Sequence, residues 1–108
     1  MNIHYFSGEP WEEKYVREKL PGENITFHNG PLSAFPDLTD SSTTVLCVFI
    51  ESHIGEAEMS RFPGLKLIVT RSTGFDHIDL AAAKIRSIEI ANVPFYGENT
   101  VAEFAFAL

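Results

Sequence analysis

The chain has 108 residues, 44% hydrophobic and 21% charged, enough for one domain with its own core and no need of metal or disulfide staples. Fifteen acidic against eight basic residues leave a net charge of -7, which repels nucleic-acid phosphates, and no Lys/Arg cluster offers a local exception. Cys47 is the only cysteine, which excludes an internal disulfide and a cysteine-rich zinc site, and the apolar runs are too short to span a bilayer.

Met1-Asn2-Ile3-His4 opens a strand pattern rather than the basic flank and apolar block of a secretory leader, so the expectation is a cytoplasmic protein. Asn2–Ser7 is rich in β-branched and aromatic types and reads as a first strand, broken by Gly8-Glu9-Pro10. Trp11, Tyr15, Val16 and Leu20 recur at helical spacing over Trp11–Leu20, and Pro21-Gly22 ends that helix. Asn24–His28 is a short second strand, followed by a polar, proline-bearing connection from Asn29 to Ser42. Thr43–Ile50 is a continuous apolar run, the signature of a strand covered on both faces. Gly55–Phe62 reads as a helix ended by Pro63-Gly64, and Leu65–Thr70 as another buried strand. Leu80–Arg86 is a helix capped by Asp79, and Ser87–Asn92 a fifth strand.

Strands alternating with helices at this spacing predict an α/β fold, a flavodoxin-like three-layer sandwich. Its five-stranded parallel sheet has the order 2-1-3-4-5, with helices on both faces. Ligands of such sheets bind beyond the carboxyl ends of the strands. That singles out the loops Ser7–Pro10, Glu51–Ile54, Arg71–Asp76 and Val93–Glu98.

In Arg71-Ser72-Thr73-Gly74-Phe75-Asp76, Gly74 lets the backbone turn sharply and removes a side chain that would obstruct a ligand. Successive amides there can form a nest for a carboxylate. The same residues also fit a plain strand-to-helix turn with a capping hydroxyl or Asp76. At Asn92-Val93-Pro94-Phe95-Tyr96-Gly97, Pro94 fixes φ and Tyr96 either presents its hydroxyl to a ligand or packs over the sheet end. Glu98-Asn99-Thr100 opens a last helix with Asn99 as its N-cap. His4, His28, His53 and His77 have no metal-ligand spacing, and Cys47 sits mid-strand, where a thiol is buried and inert. Neither a nucleophile elbow, a Gly-x-Gly-x-x-Gly run nor a Walker A loop is present.

The segments LKLIVTRSTGFDHIDL (65–80) and NVPFYGENTVAEFAFAL (92–108) together resemble the D-isomer-specific 2-hydroxyacid dehydrogenases, closest to the D-lactate dehydrogenase branch. Leu38 to Phe62 fits the same pattern more loosely. The resemblance implies a two-lobed enzyme, with this chain as the flavodoxin-like substrate lobe (1–98) and the start of the connecting helix (99–108). The substrate would lie in the cleft against a dinucleotide-binding domain. It further implies that the amides around Thr73 and Gly74 bind the carboxylate of a 2-oxo or 2-hydroxy acid. Tyr96 would line the cleft, the loop Ile50-Glu51-Ser52 would face the substrate side chain, and Thr100 would approach the nicotinamide of NAD.

The family's catalytic Arg, acidic residue and His, and its glycine-rich nucleotide loop, lie in the part that follows. No catalytic residue is therefore assigned here, and the isolated lobe is expected to bind no cofactor. Phe95-Tyr96-Gly97-Glu98 departs from the Ala-Tyr-Ser-Pro form associated with D-lactate dehydrogenases. Glu51 would place a negative charge near an anionic substrate, which counts against lactate and pyruvate. Val101, Phe104, Ala105 and Leu108 form an apolar stripe that predicts self-association. The competing expectations are a stand-alone flavodoxin-like binding or regulatory module and an excised or engineered half-module.

Overall fold

In the computed structural model, which describes residues 1–49, 52–71 and 74–92, strands and helices alternate along the chain. The strands are β1 (Asn2–Phe6), β2 (Asn24–His28), β3 (Val45–Val48), β4 (Leu67–Thr70) and β5 (Glu89–Asn92). Between them lie α1 (Pro10–Lys19), α2 (Glu56–Ser60) and α3 (Leu80–Ile85), with a short 3-10 turn at Leu32–Ala34. The strands form one sheet in the order β2-β1-β3-β4-β5, with every neighbouring pair parallel. The predicted fold class and strand order are therefore observed.

Burial explains the register. All four residues of β3 are buried, as a central parallel strand covered on both faces requires. On one face Ile3, Tyr5, Val45, Cys47 and Val69 pack with Val16 of α1 and with Leu20, its C-cap. On the other, Phe6, Leu46, Val48 and Ile68 pack with Met59 of α2 and with Ala82 and Ala83 of α3. Asp79 caps α3 as expected, its carboxylate accepting from the Ala82 amide at 3.0 Å.

Three local readings need correction. The helix α1 starts at Pro10, where a missing N–H costs nothing. Its inward face carries Glu12, Val16 and Leu20, while Trp11 is 40% exposed. The polar connection also contributes to the core: Leu32, in the 3-10 turn, is fully buried with Phe35 and Leu38 packed beside it. The strands β3, β4 and β5 are shorter than the apolar runs suggested, although the Thr44 amide still donates to the Asn2 carbonyl and the Thr44 carbonyl accepts from Lys66.

Candidate functional site

The sheet's connectivity reverses between β1 and β3: β2 lies to one side, β4 and β5 to the other. Loops leaving the carboxyl ends of β1 and β3 therefore diverge and open a crevice. A cleft of about 240 Å³ lies there, lined by Ser7, Glu9, Trp11, Glu12, Phe49 and Arg71. A larger crevice of about 720 Å³ sits at the opposite, amino-terminal edge, lined by residues such as Thr44, Lys66, Arg86 and Glu89. There the Met1 ammonium and the Arg86 guanidinium are already paired with Glu23 and Glu56, so the carboxyl edge is the better candidate.

Arg71 organises that edge. Its backbone amide donates to the Val48 carbonyl at 2.8 Å, extending the β3–β4 ladder by one residue. Its buried guanidinium donates to Glu12 at 2.9 Å and to the carbonyl of Phe6. It also stands over the rings of Tyr5 and Phe49, 4.7 and 5.6 Å from their centroids. The Tyr5 hydroxyl donates to the same Glu12 carboxylate at 3.0 Å. Burial, and then the neighbouring Cys47, pushes the Tyr5 phenol upward, so it stays a proton donor. One arginine thus ties together the ends of β1, β3 and β4 and the first turn of α1, immediately before Ser72-Thr73-Gly74. Burial likewise raises the Cys47 thiol to about 11, in keeping with an inert core cysteine.

Downstream, the same loop is fastened again. The Thr70 hydroxyl and His77 Nε2 lie 2.7 Å apart, both residues buried. The Ile54 amide donates to the His77 carbonyl at 2.8 Å, and the Asp79 amide to the Ile54 carbonyl at 2.9 Å. An isolated parallel bridge between Ile54 and Ile78 results, holding the chain after residues 50–51 against the chain after residues 72–74. Burial, followed by His53, lowers the His77 pKa below 6.5, so its imidazole is neutral at pH 7.

Of the expected site residues, Gly74 is described, whereas Ile50, Glu51, Thr73, Tyr96 and Thr100 lie outside the described residues. The last helix with its Asn99 cap and the apolar stripe 101–108 lie outside them too. Gly74 is exposed, and among the described residues no atom lies within 4 Å of a Cβ added there. The turn it is expected to make with Thr73 lies outside the described residues. Ser52 departs from expectation. It is fully buried and its hydroxyl accepts from the Leu32 amide at 3.0 Å, which turns it toward the core rather than toward a ligand.

Sequence reasoning missed the Arg71–Glu12 pair and a second, part-buried network. His4 Nδ1 lies 2.7 Å from His28 Nε2, and His4 Nε2 lies 3.1 Å from Asp40. An ionised Asp40 can only accept, so His4 presents a proton on Nε2 to it and faces His28 with Nδ1. Hydrogen bonds from Ser42 and then His4 hold Asp40 well below the usual carboxylate range, while burial and then His4 lower His28. The three groups bond to one another in a line. Among the described residues no group of three His, Cys, Asp or Glu side chains converges as a metal site. No helix among them is long and apolar enough to cross a membrane.

The fold is an all-parallel α/β sheet in which the segments leaving β3 and β4 are bridged at Ile54 and Ile78. Residues 7–107 match the family model "D-isomer specific 2-hydroxyacid dehydrogenase, catalytic domain", and the chain belongs to that family. It is 31% identical over its whole length to 2-hydroxyacid dehydrogenase homolog 1 of Schizosaccharomyces pombe, covering 34% of that protein. It is 29% identical to D-lactate dehydrogenase kk1H of Curvularia clavata, covering 33%. Among solved structures, D-lactate dehydrogenase from Aquifex aeolicus, complexed with NAD and lactic acid, superposes with a TM-score of 0.78 at 31% identity. That match covers 98% of this chain and 32% of the other. The apo D-lactate dehydrogenase of Escherichia coli gives a TM-score of 0.76 at 25% identity, covering 99% and 35%. The chain thus spans about a third of the length of these relatives.

Proposed function

We propose that this chain forms the acid-binding lobe of an NAD-dependent D-2-hydroxyacid dehydrogenase, with residues 1–98 as the lobe and 99–108 opening the connecting helix. The observation that carries the reading is the space over Gly74, open among the described residues, between the Arg71 and His77 anchors at the carboxyl edge of the sheet. Backbone amides around Thr73 and Gly74 would take the carboxylate of a 2-oxo or 2-hydroxy acid, with Tyr96 lining the cleft and Ile50 and Glu51 meeting the rest of the substrate. Thr100 would approach the nicotinamide.

NAD, when bound, supplies or accepts the hydride. The sequence has no Gly-x-Gly-x-x-Gly run to cradle its pyrophosphate, so the lobe's own work is to bind and orient the acid. The 108-residue chain alone should accordingly show no dehydrogenase activity, and turnover of pyruvate with NADH by purified 1–108 would sink the proposal. Self-association through Val101, Phe104, Ala105 and Leu108 belongs to the same reading. A clean monomer in sedimentation at high concentration counts against that part.

Gly74→Ala separates this reading from a purely structural turn. A methyl in open space should leave the melting temperature within about 2–4 °C, since surface changes of this kind lie within about 0.5 kcal/mol. In the complete enzyme it should raise the KM for the 2-oxo acid by about ten-fold or more through obstruction of the carboxylate, kcat changing little. A large stability loss with unchanged KM would return Gly74 to a turn residue.

A further inference from the structure

We infer that the His4–His28 pair is a one-proton latch on the crossover from β2 to β3, holding residues 29–42 against the sheet at neutral pH and releasing them in acid, when both rings take a proton. The latch is built into the lobe and needs neither substrate nor cofactor.

The crossover carries a 3-10 turn and no α-helix, so an irregular strap covers β1 and β2 on the face away from α1. Ile3, Tyr5 and Ile25 turn toward α1, and by strand alternation His4, Phe6 and His28 turn toward the strap. The His28 ring stacks on Phe6 at 4.5 Å between centroids and meets Phe35 of the strap at 4.9 Å. Opening the strap uncovers Leu32, which is fully buried, together with Phe35 and Leu38.

The latch follows from a count of hydrogens. His4 Nδ1 and His28 Nε2 stand 2.7 Å apart, which requires one hydrogen between them, supplied by one ring. An imidazolium carries a hydrogen on both nitrogens. The pair can therefore hold one added proton, but a second sets N–H against N–H and the contact must part. Burial, and then His4, lower the pKa of His28, the direction this pairing requires.

Asp40 accepts from His4 Nε2 at 3.1 Å and from the amide and hydroxyl of Ser42 at 2.9 and 2.6 Å. It steadies the far side of His4 and offers nothing to the two facing nitrogens. Among the described residues, the other charged group gripping the strap is Arg61, the C-cap of α2. Its guanidinium donates to the carbonyls of Phe35 and Pro36 at 3.1 and 2.7 Å, and its carbonyl accepts from the Asp40 amide at 3.0 Å. Arginine keeps its charge throughout, so of the two ties only the imidazole one weakens in acid. Free imidazoles titrate near pH 6.5. Below that, the open strap binds at least one more proton than the closed one, so opening gains about ten-fold per pH unit and about thirty-fold by pH 5.0.

The test is amide hydrogen exchange of the full chain at pH 7.5 and 5.0, read as protection factors so that intrinsic exchange rates drop out. The Leu32 amide, bonded to the Ser52 hydroxyl, and the Asp40 amide should be less protected at both pH values than Arg71 and Glu89, whose amides donate to Val48 and Lys66. Between the two pH values the strap amides should lose about thirty-fold in protection. In His28→Gln the side-chain amide can meet His4 Nδ1 with its nitrogen or its oxygen, and the loss should shrink below about three-fold. His77→Gln should leave the strap's acid dependence intact. A strap as protected as the sheet, an acid loss below about three-fold in the wild type, or a loss that survives His28→Gln overturns the latch. So does a loss abolished by His77→Gln. Should His28→Gln fold poorly, imidazole NMR of the wild type decides. The His4 and His28 rings together should take up no more than one proton while the strap amides stay protected, and two imidazolium rings under a protected strap would overturn the inference.

Discussion

The two faces of the sheet solve the burial of polar groups in opposite ways. Toward α1, a small apolar cluster carries a full ion pair, Arg71–Glu12, completed by the Tyr5 hydroxyl. Toward α2 and α3, a larger cluster holds imidazoles instead, in the His28–His4–Asp40 line and in the Thr70–His77 pair. Arginine keeps its charge at any pH the fold survives, whereas imidazole changes charge just below neutrality. One face of the carboxyl edge is therefore held by a permanent clamp and the other by clamps that protonation can release. The permanent one sits at the strand-order reversal, where the loops must diverge without the sheet coming apart.

The sharpest break of that contrast is Glu12→Ala. It leaves the Arg71 guanidinium buried and unpaired, a loss of about 3–5 kcal/mol, measured by urea unfolding of the purified chain. Glu12→Leu combined with Arg71→Met should recover most of that loss, since removing both charges removes the desolvation penalty as well. A Glu12→Ala cost below about 1 kcal/mol would mean that water reaches the guanidinium and the clamp is weak.

On the imidazole face the expected effect is a pH dependence. His28 and His77 both have folded-state pKa values below their free value of 6.5. The unfolded chain then binds more protons than the folded one just below pH 6.5, so stability present at pH 7.5 is lost as the pH falls through that window. Asp40, held low, adds a second loss once the pH drops below its ordinary 3.8. Unfolding free energies at pH 7.5, 6.5 and 5.5 should decrease in that order, and His28→Gln should flatten the slope. A wild-type profile flat from 7.5 to 5.5 would show that the buried imidazoles are not coupled to folding.

The same contrast explains what could be read from the chain beforehand. The strands and helices follow from apolar periodicity, a local signal, and the sheet order from their alternation and the right-handed crossover. On α1 the apolar spacing marks Val16 and Leu20 correctly, but Glu12 rather than Trp11 completes the buried face, because a carboxylate carries no apolar signal. Its charge partner lies 59 residues away in sequence. Leu32 was hidden for a similar reason: a lone leucine among Pro31, Ser33 and Ala34 has no period, and its burial depends on Ser52 capping the turn. At the site, a buried strand ending in a Ser-Thr-Gly turn marked the loop. The groups that fasten it, Arg71, Thr70 and His77, carry no motif because their partners come from other elements or from across the turn.

The smallest effect should come where the two faces meet. Ser7 follows β1 with φ of 59°, the left-handed region, so that its amide can donate to the carbonyls of Gly30 at 3.0 Å and His28 at 3.2 Å. Its hydroxyl is buried without a partner among the described residues. A non-glycine residue in that region costs about 1–2 kcal/mol, and a buried unmet hydroxyl adds to it. Glycine's greater chain entropy offsets about 0.5–1 kcal/mol. Ser7→Gly should therefore stabilise the chain by about 1 kcal/mol, raising the melting temperature by a few degrees. A destabilised Ser7→Gly would mean that the hydroxyl has a structural partner after all and that this strained corner is held by the side chain. A stabilised variant instead assigns the strain to the backbone, which is bent there to let the β1 and β3 loops part.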